Sequence, residues 1–188
     1  RRIIQGIGRR YRITDPGMAI KLYPVCSAAQ AGAEAVQCLM REHDLCAGDI
    51  SHVVMRVTEL VETQLRFSQA RNVDEARFCL PFSVAAVLDR GCLGLDELTD
   101  GYVRSENIQR LMRRVEMVGE DEILNQVDDP DSAPEAAEAT LYLANGASVT
   151  LFNPMATGMP GREIPTVLLE QKFLDCALRR ISGDAAST

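Results

Sequence analysis

The chain has 188 residues, a formal net charge of −7 at pH 7, and 46% hydrophobic and 25% charged residues. This composition is typical of a globular chain that can fill a core, and it excludes extensive disorder. The acidic balance argues against nucleic acid as a general partner, because phosphate binding requires a basic surface.

No apolar run approaches the roughly 20 residues that span a bilayer, and no signal-peptide pattern is present. We therefore expect a cytoplasmic protein with no membrane partner. A basic cluster near the start fits a nucleic-acid arm, a solvated segment or a docking strand. It comprises Arg1, Arg2, Arg9, Arg10 and Arg12.

The first elements follow a turn signal at Asp15-Pro16-Gly17. Apolar residues then recur at helical spacing and predict a helix from Ser27 to about His43. The early face of this helix consists of small residues, which would let another group approach its backbone. The stretch "HVVMRVTEL" alternates and predicts a strand, with Val53, Met55 and Val57 on the face opposite Arg56.

A second long helix is predicted for "EARFCLPFSVAAVLDRG", with Asp74 as its N-cap and Gly91 at its end. Pro81 falls inside this helix, where a proline removes one backbone donor and produces a kink. Such a kink either opens a site or relieves packing, and the sequence does not decide between the two.

The remaining elements are short. "LGLDELTDGYV" and "SENIQRLMRRV" predict two short helices, the second capped by Ser105, and "VEMVGE" predicts a strand. "ATLYLANGASVTLF" predicts a hairpin that turns at Asn145-Gly146, and the acidic stretch before it predicts a surface loop. An amphipathic helix closes the chain from Pro165 to Ser182. The pattern predicts an α+β fold, with helices packed on one face of an antiparallel sheet.

The six cysteines do not form a metal or disulfide pattern. No C-x-x-C occurs, and only His43 and His52 could act as imidazole ligands. Cys38, Cys79 and Cys176 lie in apolar helical patterns, where a free cysteine behaves as a small buried hydrophobe. We expect reduced thiols and no metal.

Three stretches together resemble the MmgE/PrpD family, which includes 2-methylcitrate dehydratase, cis-aconitate decarboxylase and iminodisuccinate epimerase. They are "PGMAIKLYPVCSAAQAGAEAV", "EARFCLPFSVAAVLDRGCLGLDEL" and "LEQKFLDCA". The resemblance covers most of the chain in the family's order. It is carried chiefly by the Lys-x-Tyr-Pro-x-Cys stretch joined to the Ala-Arg-Phe-x-Leu-Pro-Phe helix.

The resemblance implies the C-terminal half of a longer enzyme. Residues 1–16 would be a linker from an N-terminal helical domain, 17–152 the α+β lid domain, and 153–188 a segment that packs on the helical domain. It further implies a homodimer and an active site between the two domains. The family's substrates are small di- and tricarboxylates, and no cofactor is implied.

The resemblance also implies candidate site residues. Lys21 matches the family's lysine, Cys26 a position held by histidine or cysteine, and Arg77 an arginine of the second helix. Three further positions depart from the common pattern: Ser27 replaces arginine, Gln30 replaces histidine, and Phe82 replaces the tyrosine of cis-aconitate decarboxylases. Met159 stands where a Gly-His-Pro triplet is frequent. These departures bear on the substrate rather than on the fold.

Lys21 is one of only two lysines among 20 basic residues, the other being Lys172. It precedes a predicted helix whose free N–H groups and dipole attract anions. A lysine there could hold a carboxylate or exchange a proton, whereas arginine could do only the former. The alternative is a lysine that extends its ammonium group to solvent at a helix start.

Cys26, near the same helix start, would be favoured as a thiolate there, which suits proton transfer; pocket lining is an equal alternative. Arg77 is interpreted as a structural or carboxylate-pairing residue, and Phe82 as a pocket wall or a core residue without a proton to donate. The chain is therefore predicted to be part of a cofactor-independent dehydratase, decarboxylase or epimerase. The alternative is a non-catalytic binding or interaction module on the same scaffold, and a thiol protein is a distant third. No glycine-rich phosphate loop or metal-ligand set occurs, so no nucleotide or metal is expected.

Overall fold

The computed structural model describes residues 8, 9, 11 and 13–181. Of the basic cluster near the start, only Arg9 lies within the described residues. The helices are α1 (Gln30–Glu42), α2 (Glu59–Gln64), α3 (Val73–Ala76), α4 (Leu80–Arg90), α5 (Asp100–Val103), α6 (Glu106–Met112) and α7 (Thr166–Ala177). The strands are β1 (Ile50–Val57), β2 (Val115–Gly119), β3 (Ala137–Leu143) and β4 (Ser148–Asn153). Short 3-10 helices cover Ser27–Ala29, Asp121–Gln126 and Pro130–Ser132.

The four strands form one mixed sheet in the order β2-β1-β3-β4. The predicted α+β class is confirmed, and β3 pairs antiparallel with both β1 and β4. The expectation of a purely antiparallel sheet is wrong, because β2 runs parallel to β1 with Val53 opposite Val115. A parallel partner needs a long crossover connection, and the chain supplies it with helices α2 to α6.

Helices α1 and α4 cover the apolar face of the sheet. β1 alternates as predicted, since Val53, Met55 and Val57 are fully buried while Arg56 is half-buried on the opposite face. The small residues of α1 allow close packing. A Cβ atom added to Gly32 would lie 3.0 Å from Met55 Cε and 3.1 Å from Leu80 Cδ1. The groups that approach the α1 backbone at Gly32 are therefore one side chain of β1 and one of α4.

The predicted second long helix is wrong, because the chain forms α3 and α4 with a break between them. Asn72, rather than Asp74, caps α3 by accepting a hydrogen bond from the Glu75 N–H at 2.9 Å. Cys79 is extended, and its sulfur accepts from the Phe82 N–H at 3.4 Å. Pro81 therefore lies in the first turn of α4, where a missing N–H is harmless, and no kink results.

The remaining predictions are confirmed in most respects. Ser105 caps α6 as predicted, and the hairpin turns through Gly146 at a φ of +87°. In "LGLDELTDGYV" only the α5 segment is helical. The acidic stretch is more ordered than a surface loop. Its 3-10 helices bury Ile123 in a small cluster with Ala133 and Ala136, and Phe152 packs against that cluster.

The described residues divide into two compact units. Tyr23–Ala156 contains the sheet and α1 to α6, and the described residues of 1–22 and 157–188 form the other unit. The predicted C-terminal helix is present as α7, and its large apolar side chains are exposed. Across the described residues, no helix has the length and apolar character needed to cross a membrane.

Candidate functional site

The segment before α1 is held by one buried side chain, that of Gln30. Its Oε1 accepts from the Tyr23 N–H at 3.0 Å, and its Nε2 donates to the Tyr23 carbonyl at 2.9 Å. The same Nε2 lies 3.4 Å from the carbonyl oxygens of Val25 and Cys26. Only 1% of Gln30 is exposed. The amide of Gln30 is thus used to close the loop that precedes the helix.

Cys26 stands directly before the 3-10 helix that leads into α1. Its backbone N–H donates to the Arg77 carbonyl at 2.9 Å, and its own carbonyl accepts from Ala29 N–H at 3.1 Å. Its half-buried thiol lies 3.9 Å from Oε1 of Gln64, the last residue of α2. The loop, α2 and the segment after α3 therefore meet at this cysteine.

Ser27 contacts a fourth segment of the chain, the residues just before β3. Its hydroxyl donates to Glu135 Oε1 at 2.9 Å, and both residues are half-buried. Thr58, the N-cap of α2, donates its hydroxyl to the neighbouring Pro134 carbonyl at 2.8 Å. Sequence reasoning missed Glu135, since nothing in the local pattern distinguishes it from the other acids of that stretch. Its contact with Ser27 joins residues 108 positions apart in the sequence.

Two further candidates, Arg77 and Phe82, lie at the end of α3 and in α4. The exposed guanidinium of Arg77 lies 3.4 Å from Asp74, so it is the backbone of Arg77 that contacts the Cys26 loop. Phe82 is fully buried, with its ring edge-to-face against Tyr102 at 6.4 Å between centroids. Burial and the hydroxyl's hydrogen bond to Asp89 at 2.9 Å raise the pKa of Tyr102.

Lys21 belongs to the other unit, where its side chain is exposed. Its neighbour Ile20 is anchored, since the Ile20 N–H donates to the Gly158 carbonyl at 2.7 Å. Gly158 has a φ of +89°, and a Cβ atom there would clash with the Ile20 carbonyl. The "GMP" stretch that includes Met159 thus has glycine where only glycine fits.

The candidate residues therefore fall into three groups. Cys26, Ser27 and Gln30 lie together at the start of α1, and Arg77 and Phe82 lie at the end of α3 and in α4. Lys21 belongs to the unit formed by the described residues of 1–22 and 157–188. None of the six cysteines is in a disulfide bond. Cys176 is exposed and Cys38 only half-buried, so the expectation of buried hydrophobes is wrong for these two. Cys79 is fully buried, and desolvation raises the pKa of its thiol to about 12. Within the described part of the chain, no group of three metal-ligating side chains is close enough to hold an ion.

Comparison with known proteins agrees with the resemblance stated above. Residues 23–188 match the family model for the MmgE/PrpD C-terminal domain. Since this match covers most of the chain, the protein belongs to the MmgE/PrpD family. A comparison with curated proteins finds no match.

Proposed function

We propose that the chain is the C-terminal part of a cofactor-independent enzyme that acts on a small di- or tricarboxylate. The observation that carries the proposal is the segment from Tyr23 to Gln30. There the buried Gln30 amide binds the backbone of the loop that carries the half-buried Cys26, and the half-buried Ser27 follows directly. This segment lies within the matched C-terminal domain.

The proposed reaction begins with removal of a proton α to a carboxylate, followed by loss of water, loss of CO2 or reprotonation. The developing enediolate needs a cation or hydrogen-bond donors close to it. Lys21 is the proposed carboxylate-binding and proton-exchanging group, because an ammonium can do both. Cys26 is proposed as a second proton-transfer group, and Ser27, Gln30, Arg77 and Phe82 as residues that shape the substrate site.

The proposal includes partners. The remaining catalytic groups would come from an N-terminal helical domain of the same protein, and the enzyme would be a cytoplasmic homodimer. Polar groups on both sides of a small substrate give the positioning on which such a reaction depends.

One observation favours the alternative, a binding or interaction module without catalysis. The Gln30 amide forms its hydrogen bonds with the backbone of the loop that precedes α1. Phe82 is buried in the core, and its side chain has no proton to donate. At these two positions the chain departs from the pattern that the resemblance implies. A module of this kind would bind polycarboxylates and leave them unchanged.

The test uses the two lysines in a protein that contains this chain together with its helical domain. Lys21→Ala should abolish both binding and turnover of citrate-like compounds, with thermal stability within about 1 kcal/mol of the parent, as for an exposed side chain. Lys21→Arg should retain binding and lose turnover. Lys172→Ala removes the only other lysine of this chain and is the matched control.

The outcomes separate the two functions. Turnover by the parent that disappears in Lys21→Ala supports the enzyme. Binding by the parent without turnover of any citrate-like compound supports the module. Full activity in Lys21→Ala would remove Lys21 from the site.

A further inference from the structure

The backbone of Ile20, the residue before Lys21, is held at both of its polar groups by Gly158. The Ile20 N–H donates to the Gly158 carbonyl at 2.7 Å. The Ile20 carbonyl oxygen lies where a Cβ atom on Gly158 would be, so this approach requires a glycine. Gly158 is buried and has a φ of +89°, a conformation that residues with a side chain rarely adopt.

Gly158 is itself fixed by the tight turn that follows it, residues 159–162 with the sequence "MPGR". The Arg162 N–H donates to the Met159 carbonyl at 2.9 Å, and Gly161 has a φ of +98°. A proline in the second position and a glycine of positive φ in the third are typical of a type II β-turn. The Gly158 N–H donates to the Arg162 carbonyl at 2.8 Å. The turn therefore fixes the direction of the Gly158 carbonyl.

The hold on Ile20 matters for Lys21 because a lysine carries its charge at the end of a flexible four-carbon stem. The region that the exposed ammonium group reaches is set first by the direction of the backbone that carries it. Binding of a carboxylate tolerates a displaced ammonium group, whereas proton exchange requires close alignment of the reacting atoms. A displacement of about 1 Å costs on the order of 100-fold in rate.

We propose that Gly158 is a positioning residue, which acts through the Ile20 backbone to hold Lys21 where its ammonium group exchanges a proton with the substrate. This inference rests on the proposed function and adds to it a residue that does not contact the substrate. Gly158, Ile20 and Lys21 belong to the same compact unit. The positioning step is therefore contained within one unit of this chain.

The experiment compares Gly158→Ala with Gly146→Ala in the protein that contains the helical domain. Gly146 has a φ of +87° and nothing within 4 Å of an added Cβ, so its variant has the same backbone strain without a clash. With citrate-like substrates, Gly158→Ala should lower kcat by about 10–100-fold. Its dissociation constant, measured by calorimetry, should change by less than about threefold, because a flexible ammonium group still reaches a carboxylate. Gly146→Ala should keep both values within about twofold of the parent.

Two further measurements test the hold on Ile20 directly. Residue-resolved hydrogen exchange of the Ile20 N–H should be at least about tenfold faster in Gly158→Ala than in the parent, and unchanged in Gly146→Ala. Ile20→Pro removes the same N–H without altering Gly158, and it serves as the test if Gly158→Ala does not fold. Ile20→Pro should lower kcat at least about tenfold more than Ile20→Ala, which keeps the N–H.

A loss of kcat with nearly unchanged binding, together with faster exchange at Ile20, supports the inference. Several results overturn it and leave Lys21 in the proposed site: parent-like kcat or unchanged exchange in Gly158→Ala, a parallel loss of binding, or equal losses in the alanine variants of the two glycines. Equal kcat losses in Ile20→Pro and Ile20→Ala would do the same. Full activity in Lys21→Ala, or no turnover by the parent, overturns the proposed function and this inference with it.

Discussion

Gly32 of α1 packs tightly against side chains of β1 and α4, so a larger side chain there should be costly. The first added carbon would already lie 3.0 Å from Met55 Cε and 3.1 Å from Leu80 Cδ1. Gly32→Val adds two more methyl groups to that space. Overpacking of a filled core costs about 1–3 kcal/mol, and the two contacts place this change near the middle of that range. We expect a loss of about 2 kcal/mol, or about 4–8 °C in melting temperature.

Gly101→Ala is the control, because Gly101 also lies in a helix but an added Cβ there meets nothing within 4 Å. It should stabilise the protein by about 0.5 kcal/mol through the lower chain entropy of the unfolded state. Urea unfolding of both variants measures the difference. In a Met55→Ala background the penalty of Gly32→Val should shrink by at least about 0.5 kcal/mol. A Gly32→Val variant as stable as the parent would refute the packing argument.

The thiols give two further predictions. Alkylation of the native protein should label the exposed Cys46, Cys92 and Cys176 rapidly and Cys79 only on unfolding, with six thiols modified in urea and no zinc by mass; a stable disulfide or one equivalent of metal would contradict this. Because burial raises the pKa of Cys79 from 9.0 to about 12, the thiol ionises at a lower pH in the unfolded state than in the folded state. Between these two pKa values the folded state keeps a proton that the unfolded state has lost. Stability should therefore fall as pH rises from about 9 to 12, and Cys79→Ala should fall less steeply. Equal slopes for the two proteins would show that Cys79 is not the cause.

The parts of the fold that the sequence predicted are those with strong local signals. β1 alternates residue by residue, Asn145-Gly146 suits a tight hairpin, and Ser105 is a standard helix cap. Each of these depends on residues within one or two turns of the chain. The helix from Ser27 was predicted for the same reason, although its first three predicted residues, Ser27–Ala29, form a 3-10 helix that precedes α1.

The missed features depend on distant partners or on unusual chemistry. Cys79 acts as the N-cap of α4, a role that sequence rules give to serine, threonine, aspartate or asparagine, so Pro81 was placed inside a helix instead of at its start. The parallel pairing of β2 depends on a crossover of more than 50 residues. Glu135 reaches Ser27 across 108 residues of sequence. No local pattern contains these contacts, because they form only when the sheet is assembled.

The chain taken alone should fold and yet not catalyse. Tyr23–Ala156 is a compact unit in which α1, α4 and the sheet bury one another's apolar faces, so it has the core that a domain needs. Catalysis requires groups on more than one side of the substrate, and a chain that supplies one side loses the effective molarity that positioning provides. The assay compares the purified 188-residue chain on citrate-like substrates with and without a separately expressed helical domain. Robust activity of the chain alone would mean that Lys21, Cys26 and their neighbours suffice, and a two-domain site would then be wrong.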